Sequence, residues 1–143
     1  MKCKVKLEVC EIEKKNYHVF VSLKIGEKPC RLLLDTGASK TVFDKEKILK
    51  FIPVNKLKSH DSKSVGLGTN EMETQVAVVK QLSINKLIIK KFTVAVLNIA
   101  HVNQTYATLN LPEIDGVLGS DFLMKYKAVI DYRKQILKLS TDS

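Results

Sequence analysis

The residues best placed to do chemistry lie in "CRLLLDTGASKTVFD", residues 30–44. Leu32, Leu33 and Leu34 form an apolar run that closes on a carboxylate, Asp35, followed by Thr36, Gly37, Ala38 and Ser39. Asp-Thr-Gly alone is thin evidence. From average residue usage, a chain of this length meets such a tripeptide by chance about 3% of the time, and Asp and Gly close strands into turns constantly. Its context says more. An acid straight after three leucines is expected to be buried, and buried carboxylates are rare without a partner. Thr36 and Ser39 add hydroxyls, and Gly37 lets another backbone approach closely. If Asp35 does acid–base work, it needs a mate.

The rest of the chain offers no convincing one. There is no second Asp-Thr-Gly or Asp-Ser-Gly. Asp115, in "IDG" at 114–116, precedes an apolar strand instead of ending one, and no hydroxyl stands between it and Gly116, so it reads as a loop or turn acid. Asp121 reads as a helix cap. Asp131 sits mid-strand, placed for a hairpin or dimer contact, and Asp61 falls in a polar turn. His18, His60 and His101 lie far apart with no ligand spacing and read as surface or loop histidines. No metal and no cofactor is expected.

Period-two alternation dominates the elements that must position these residues. "KCKVKLEVCEI" reads as a half-buried strand, "YHVFVSLKI" as the next, and "CRLLLD" as a third, apolar on both faces and therefore central. Asp44 is a plausible N-cap for a helix over "KEKILKF", ended by Pro53. "VGLGTNEMETQVAVVKQLSI" reads as a long hairpin with a glycine-rich apex, and "IIKKFTVAVLNI" as a β-branched strand. Residues 101–113 show no clear period and read as a long loop, which in a compact domain tends to be functional. "SDFLMKYK" is a short helix that Ser120 or Asp121 could cap. "AVIDYRKQILKL" reads as two strands around "RKQ". A faint echo links "LLLDTG" and "IDGVLG", each an apolar strand and a Gly-containing turn ahead of a helical segment. The chain is thus mostly β with two short helices.

Size and charge set the outer bounds. The chain has 143 residues, enough for one domain, with 45% hydrophobic and 27% charged residues, as in a soluble globular domain. No apolar stretch has membrane-spanning length. The N-terminus "MKCKVKLEVCEIEKK" lacks the apolar middle of a signal peptide, although a signal removed beforehand would leave the same sequence. Cys3, Cys10 and Cys30 have no metal-ligand or CxxC spacing and read as reduced thiols, so a cytoplasmic location is expected. The net charge of +9 raises a nucleic-acid partner, but only Arg31 and Arg133 are arginines. Arginine supplies the planar fork that base and phosphate recognition favours, and the lysines are dispersed along the chain. A solvated basic surface is the better reading, with no nucleic-acid and no membrane partner.

Three features together resemble the retropepsin-like aspartic proteases, which include retroviral proteases and their cellular and bacterial relatives. "LLLDTGAS" is similar to that family's strand and active-site loop, "VGLGTN" to its glycine-rich flap, and "IDGVLGSDFL" to its apolar-apolar-Gly strand and following helix. The resemblance spans residues 17 to about 139 and implies an all-β fold: a single-lobe acid-protease closed barrel with a flap hairpin and one or two short helices, filling residues 1–143 as one domain. It implies Asp35 as the catalytic aspartate of an aspartic endopeptidase. The hydroxyl of Thr36 would reach the other copy of the loop, Gly37 would line the cleft, and Ala38 and Ser39 would complete the loop. Gly66, Leu67, Gly68, Thr69 and Asn70 would form the flap, and Val117, Leu118 and Gly119 would support the loop from below. Two departures stand out. Ser120 replaces the bracing arginine of many retroviral members, and the chain continues into a C-terminal hairpin that resembles the cellular and bacterial branch.

The chemistry of that family needs two carboxylates about 3 Å apart sharing one proton, because two like charges that close cannot both ionise. With one Asp-Thr-Gly in a chain too short for two lobes, the mate is expected to be Asp35 of a second copy. A two-fold axis is the commonest oligomer symmetry, and the C-terminal hairpin is expected in the contact. The expected substrate is a peptide or protein. The alternative is a peptide-binding or dimerisation module on the same fold with weak or no turnover. Ala38 withholds a hydroxyl that could donate to the aspartate, so the dyad is expected to work at less acidic pH than in relatives with Ser there.

Overall fold

Alternating side chains build two sheets that share one core. A computed structural model describes residues 1–59 and 74–141. The expected hairpin apex, with Gly66, Leu67, Gly68, Thr69 and Asn70, lies outside the described residues, as do His60 and Asp61. The strands are β1 (Lys2–Lys6), β2 (Glu8–Glu13), β3 (Asn16–Ile25), β4 (Lys28–Leu34), β5 (Val42–Asp44), β6 (Lys58–Ser59), β7 (Gln75–Ile84), β8 (Leu87–Leu97), β9 (Gly116–Leu118), β10 (Val129–Asp131) and β11 (Ile136–Ser140). Helix α1 spans Ala100–Thr108 and α2 spans Ser120–Lys125. The larger sheet runs β2-β3-β4-β9-β5-β8-β7-β6, and β3 also pairs with β7. That extra pairing, Lys24 with Ser83 and Ile25 with Leu82, closes strands β3, β4, β9, β5, β8 and β7 into a six-strand barrel. The smaller sheet, β1-β11-β10, is antiparallel throughout. The mostly β, closed-barrel expectation with two short helices is met.

The three leucines of β4 show how the barrel is filled. Leu32 is fully buried and Leu34 packs beside it in the large core. Leu33 faces the opposite way, into a second cluster with Phe20, Tyr106 and Ile114. Neighbouring strands divide likewise: Val21, Phe43 and Leu118 point into the large core, while Phe20, Val42 and Val117 point into the second. A strand covered on both faces must be apolar at every position. Helix α1 provides the outer cover, with Tyr106 edge-on to Phe20 and its hydroxyl 2.8 Å from His18 Nδ1.

Four expectations are corrected. The N-terminal strand is two strands, because Leu7 is buried and its N–H donates to Gln135 O at 2.8 Å where the chain crosses between sheets. Residues 101–113 are not a loop throughout, since α1 occupies 100–108. The helix expected after Asp44 is a 3-10 turn, Lys47–Lys50, not an α-helix. Asp44 nonetheless accepts from the N–H groups of Glu46 and Lys47, as a capping acid would. His18 is half-buried in β3 against Tyr106, not a surface or loop residue. The C-terminal pair of strands and α2 form where expected.

Candidate active site

Asp35 stands at the first position beyond β4. Strand β9 runs parallel to β4, with Leu33 opposite Val117 and Leu34 opposite Leu118. Asp35 N–H extends that ladder by one bond, donating to Leu118 O at 3.0 Å. The loop then turns, with Ala38 N–H donating to Asp35 O at 3.1 Å and Ser120 N–H to Ala38 O at 2.7 Å. Backbone bonds from both flanking segments therefore fix the aspartate, and α2 starts on the same support.

Contrary to the expectation of burial, the Asp35 side chain is exposed in the single chain, as are Thr36, Gly37 and Ser39. Ala38 is half-buried. Among the described residues, the hydrogen bond to the Asp35 carboxylate comes from Gly37 N–H, which donates to Oδ1 at 2.9 Å. A Cβ on Gly37 would stand 3.3 Å from that same oxygen, so any side chain there would crowd the acid. The leucines end inside the core, and the acid emerges at its rim, its second oxygen without a hydrogen bond among the described residues.

Beneath the loop lies a polar clasp that sequence reasoning missed. Thr41 is buried, and its Oγ1 donates to Asp121 Oδ1 at 2.8 Å and accepts from Gly119 N–H at 3.0 Å. Asp121 Oδ1 also accepts from Phe122 N–H at 2.8 Å. Neither Ser120 nor Asp121 is the N-cap of α2. That position is Gly119, with no side-chain cap bond. Gly119 cannot be larger, because a Cβ there would lie 2.6 Å from the Lys40 carbonyl carbon and 2.8 Å from Ala38 O. Thr41 sits in "SKTVFD" just ahead of an apolar pair, a weak signal that gains meaning only beside "GSDF" 78 residues later.

Asp115 lies at the bend that leads into β9, as a loop or turn acid would, but it is buried and braces that chain against β4. Its Oδ2 accepts from Arg31 N–H at 2.9 Å, its N–H donates to Arg31 O at 2.8 Å, and its Oδ1 takes an ion pair from Lys50. Asp44, also buried, accepts from Ile99 N–H at 2.9 Å and so fastens the end of β8 to β5. Asn103 of α1 bonds Ile114 twice, Nδ2 to O at 3.0 Å and Ile114 N–H to Oδ1 at 2.7 Å. These side chains hold β9 and, through it, the Asp35 loop.

The face of β2, β3 and β4 beyond Leu33 carries charge. The Arg31 guanidinium lies 4.1 Å from the Phe20 ring centroid and pairs with Glu8. The hydrogen bond to Arg31 holds the Glu8 carboxyl below its usual range. Burial pushes the Tyr106 hydroxyl upward, with Arg31 pulling the other way. Among the described residues, no group of three His, Cys, Asp or Glu side chains converges as a metal site, and no helix is long and apolar enough to cross a membrane.

Three comparisons with known proteins bear on this arrangement. The family model described as aspartyl protease matches residues 21–122, from β3 through the Asp35 loop to α2. No curated protein matches the sequence. In structure the chain is similar to a retropepsin-like aspartic protease from Rickettsia conorii, at 18% identity and TM-score 0.59 over 97% of this chain and 90% of that one. It is similar also to the retroviral protease-like domain of Ddi1 from Leishmania major, at 14% identity and TM-score 0.53 over 86% of this chain and 88% of that one. A third is EIAV protease complexed with the inhibitor HBY-793, at 21% identity and TM-score 0.56 over 83% of this chain and 97% of that one. At such identities the likeness lies in the fold, whereas the family match extends over most of the sequence. The chain belongs to the aspartyl protease family and has a retropepsin-like fold.

Proposed function

We propose that two copies of this chain join about a two-fold axis to form an aspartic endopeptidase, with Asp35 of each copy supplying half of the catalytic dyad. The observation that carries this reading is the state of Asp35: a residue held by backbone bonds at the rim of the core, exposed, whose carboxylate is hydrogen-bonded among the described residues by Gly37 N–H alone. A carboxylate so placed is half a site. Facing its twin at about 3 Å, it would share one proton. The ionised acid then takes a proton from water, whose oxygen attacks the scissile carbonyl carbon, while the protonated acid donates to the carbonyl oxygen. Thr36, exposed beside Asp35, would bond across the axis, and the Gly37 carbonyl would accept from the substrate backbone. Residues 66–70 would close over the peptide. The β10 edge is unpaired among the described residues, which supports a part for the C-terminal hairpin in the dimer.

The test joins sedimentation with digestion of a peptide library by wild type and by Asp35→Asn. The expected result is a concentration-dependent dimer whose cleavage vanishes in the variant while the variant stays folded. A protein that remains monomeric at high concentration defeats the reading. A dimer that binds peptides but leaves them intact replaces it with the non-catalytic module.

A further inference from the structure

The lysines that are dispersed in sequence converge on the smaller sheet. Lys2 and Lys4 alternate with the buried Cys3 and Val5 along β1, so they share its outward face. Lys4 stands directly opposite Lys138 of β11, and Lys138 directly opposite the exposed Val129 of β10. The β7–β8 turn closes in beside them, with Asn85 Nδ2 donating to Lys4 O and Cys3 Sγ to Ile84 O. Together they line a cavity of about 700 Å³ to which Lys86 and Lys127 also contribute.

Two properties define what would fill it. Like charges directly opposite across an antiparallel pair repel, so the Lys4–Lys138 pairing is unfavourable until an anion lies over it. No carboxylate is among the described residues that line the cavity. We propose that this groove binds an extended acidic polypeptide segment, one with Asp or Glu at alternate positions. Lys2 and Lys4 are two strand residues apart, about 7 Å, which is also the repeat of same-face side chains along an extended peptide. Val129, exposed and directly opposite Lys138, adds an apolar contact for the segment's methylenes. Single-stranded nucleic acid fits less well. The described lining has no aromatic ring on which a base could stack and no arginine fork for a phosphate. The groove runs from Lys4 of β1 across Lys138 of β11 to Val129 of β10. On the peptidase reading it would be an exosite that selects acidic protein substrates at a distance from Asp35, and the binding itself is independent of that reading.

Fluorescence anisotropy tests it at low ionic strength, using the non-cleaving Asp35→Asn protein and a labelled peptide of alternating glutamate and serine. A Lys4→Glu/Lys138→Glu variant is expected to weaken binding about tenfold or more. Lys14→Glu/Lys15→Glu, exposed in the β2–β3 turn and outside the cavity lining, is the control of equal charge change. It should change binding less than about threefold. Circular dichroism confirms that both variants fold, and Lys4→Gln/Lys138→Gln replaces the Glu pair if it does not. Equal weakening by both pairs would make the effect one of net charge and overturn the assignment. So would tighter binding of a single-stranded oligonucleotide of equal charge. Loss of peptide binding with library cleavage intact sinks the groove alone, whereas binding without cleavage sinks the peptidase alone.

Discussion

Thr41 Oγ1 and Asp121 Oδ1 lie 2.8 Å apart although 80 residues separate them in sequence. This bond ties the end of the Asp35 loop to the first turn of α2, and Gly119 N–H completes it. Replacing Thr41 by Val keeps the shape, removes the donor and leaves Gly119 N–H without its acceptor. An unsatisfied buried group costs roughly 1–3 kcal/mol, so Thr41→Val should lower the urea midpoint accordingly. On the peptidase reading it should also lower kcat more than it raises KM, because the loop positions the acid.

Gly119→Ala should be worse than its size suggests. The new methyl would meet backbone at 2.6 Å, and neither Lys40 nor Ala38 can withdraw without moving the loop. Overpacking of this kind costs typically 1–3 kcal/mol. Denaturant unfolding measures it, and an unchanged midpoint would refute the close approach.

Asn103 holds α1 to the strand that backs the site through two bonds to Ile114. Asn103→Leu, similar in volume, leaves both backbone groups of Ile114 unpaired. Roughly 2–4 kcal/mol should be lost, with faster amide exchange at Ile114 and along α1 than elsewhere. Uniform acceleration across the chain would argue against a local tie.

The thiols supply a pH-dependent readout. Burial raises all three, Cys30 most, with the nearby Asp115 adding to its shift. The thiolate is the reactive form, so at pH 8 the folded protein should resist iodoacetamide and react at three sites in denaturant. The sign follows from linkage. A thiol pKa raised on folding means the native state keeps its proton longer, so stability falls as pH rises past the unfolded thiol value. Urea midpoints between pH 7 and pH 10 should therefore decline, and less so in Cys30→Ala.

Ala38 bears on the acid limb of the expected peptidase. Ala38→Ser introduces a hydroxyl that can donate to the aspartate and favour its charged form. The acid limb of the pH–rate profile should then move to lower pH with little change in the alkaline limb. An unmoved acid limb would mean that position 38 does not reach the dyad.

Much of this architecture was legible in the chain because alternation is a local signal. "YHVFVSLKI", "CRLLLD" and "IIKKFTVAVLNI" each became a strand, and the doubly apolar leucines rightly marked β4 as central. The echo between "LLLDTG" and "IDGVLG" corresponds to β4 and β9, which lie side by side in parallel. Helix α1 was hidden because it carries no side-chain cap and no acid in its first turn. Its nearest signal is Asn98, whose Oδ1 accepts from Ala100 N–H. Asp35 was expected inside, since proximity to leucines does not say on which side of the rim a side chain emerges. Thr41, Asn103 and Asp115 escaped for a different reason: each gains its meaning from a backbone group or acid that only the fold brings near. The same holds for Lys4 and Lys138, which stand 134 residues apart in the chain and face to face in the sheet.

Closing the barrel through β3 and β7 also governs how the protein meets its own kind. Closure hides strand edges that would otherwise template aggregation, and the edges left over among the described residues are guarded. β1 bears Lys2, Lys4 and Lys6; β2 bears Glu8, Glu11 and Glu13; β6 is two residues long and begins with a lysine. The edge of β10 is the least defended, a short strand that begins with exposed Val129 and is followed by exposed Tyr132. Two molecules would repel wherever β1 met β1 or β2 met β2, and the β10 edge admits a partner without that penalty.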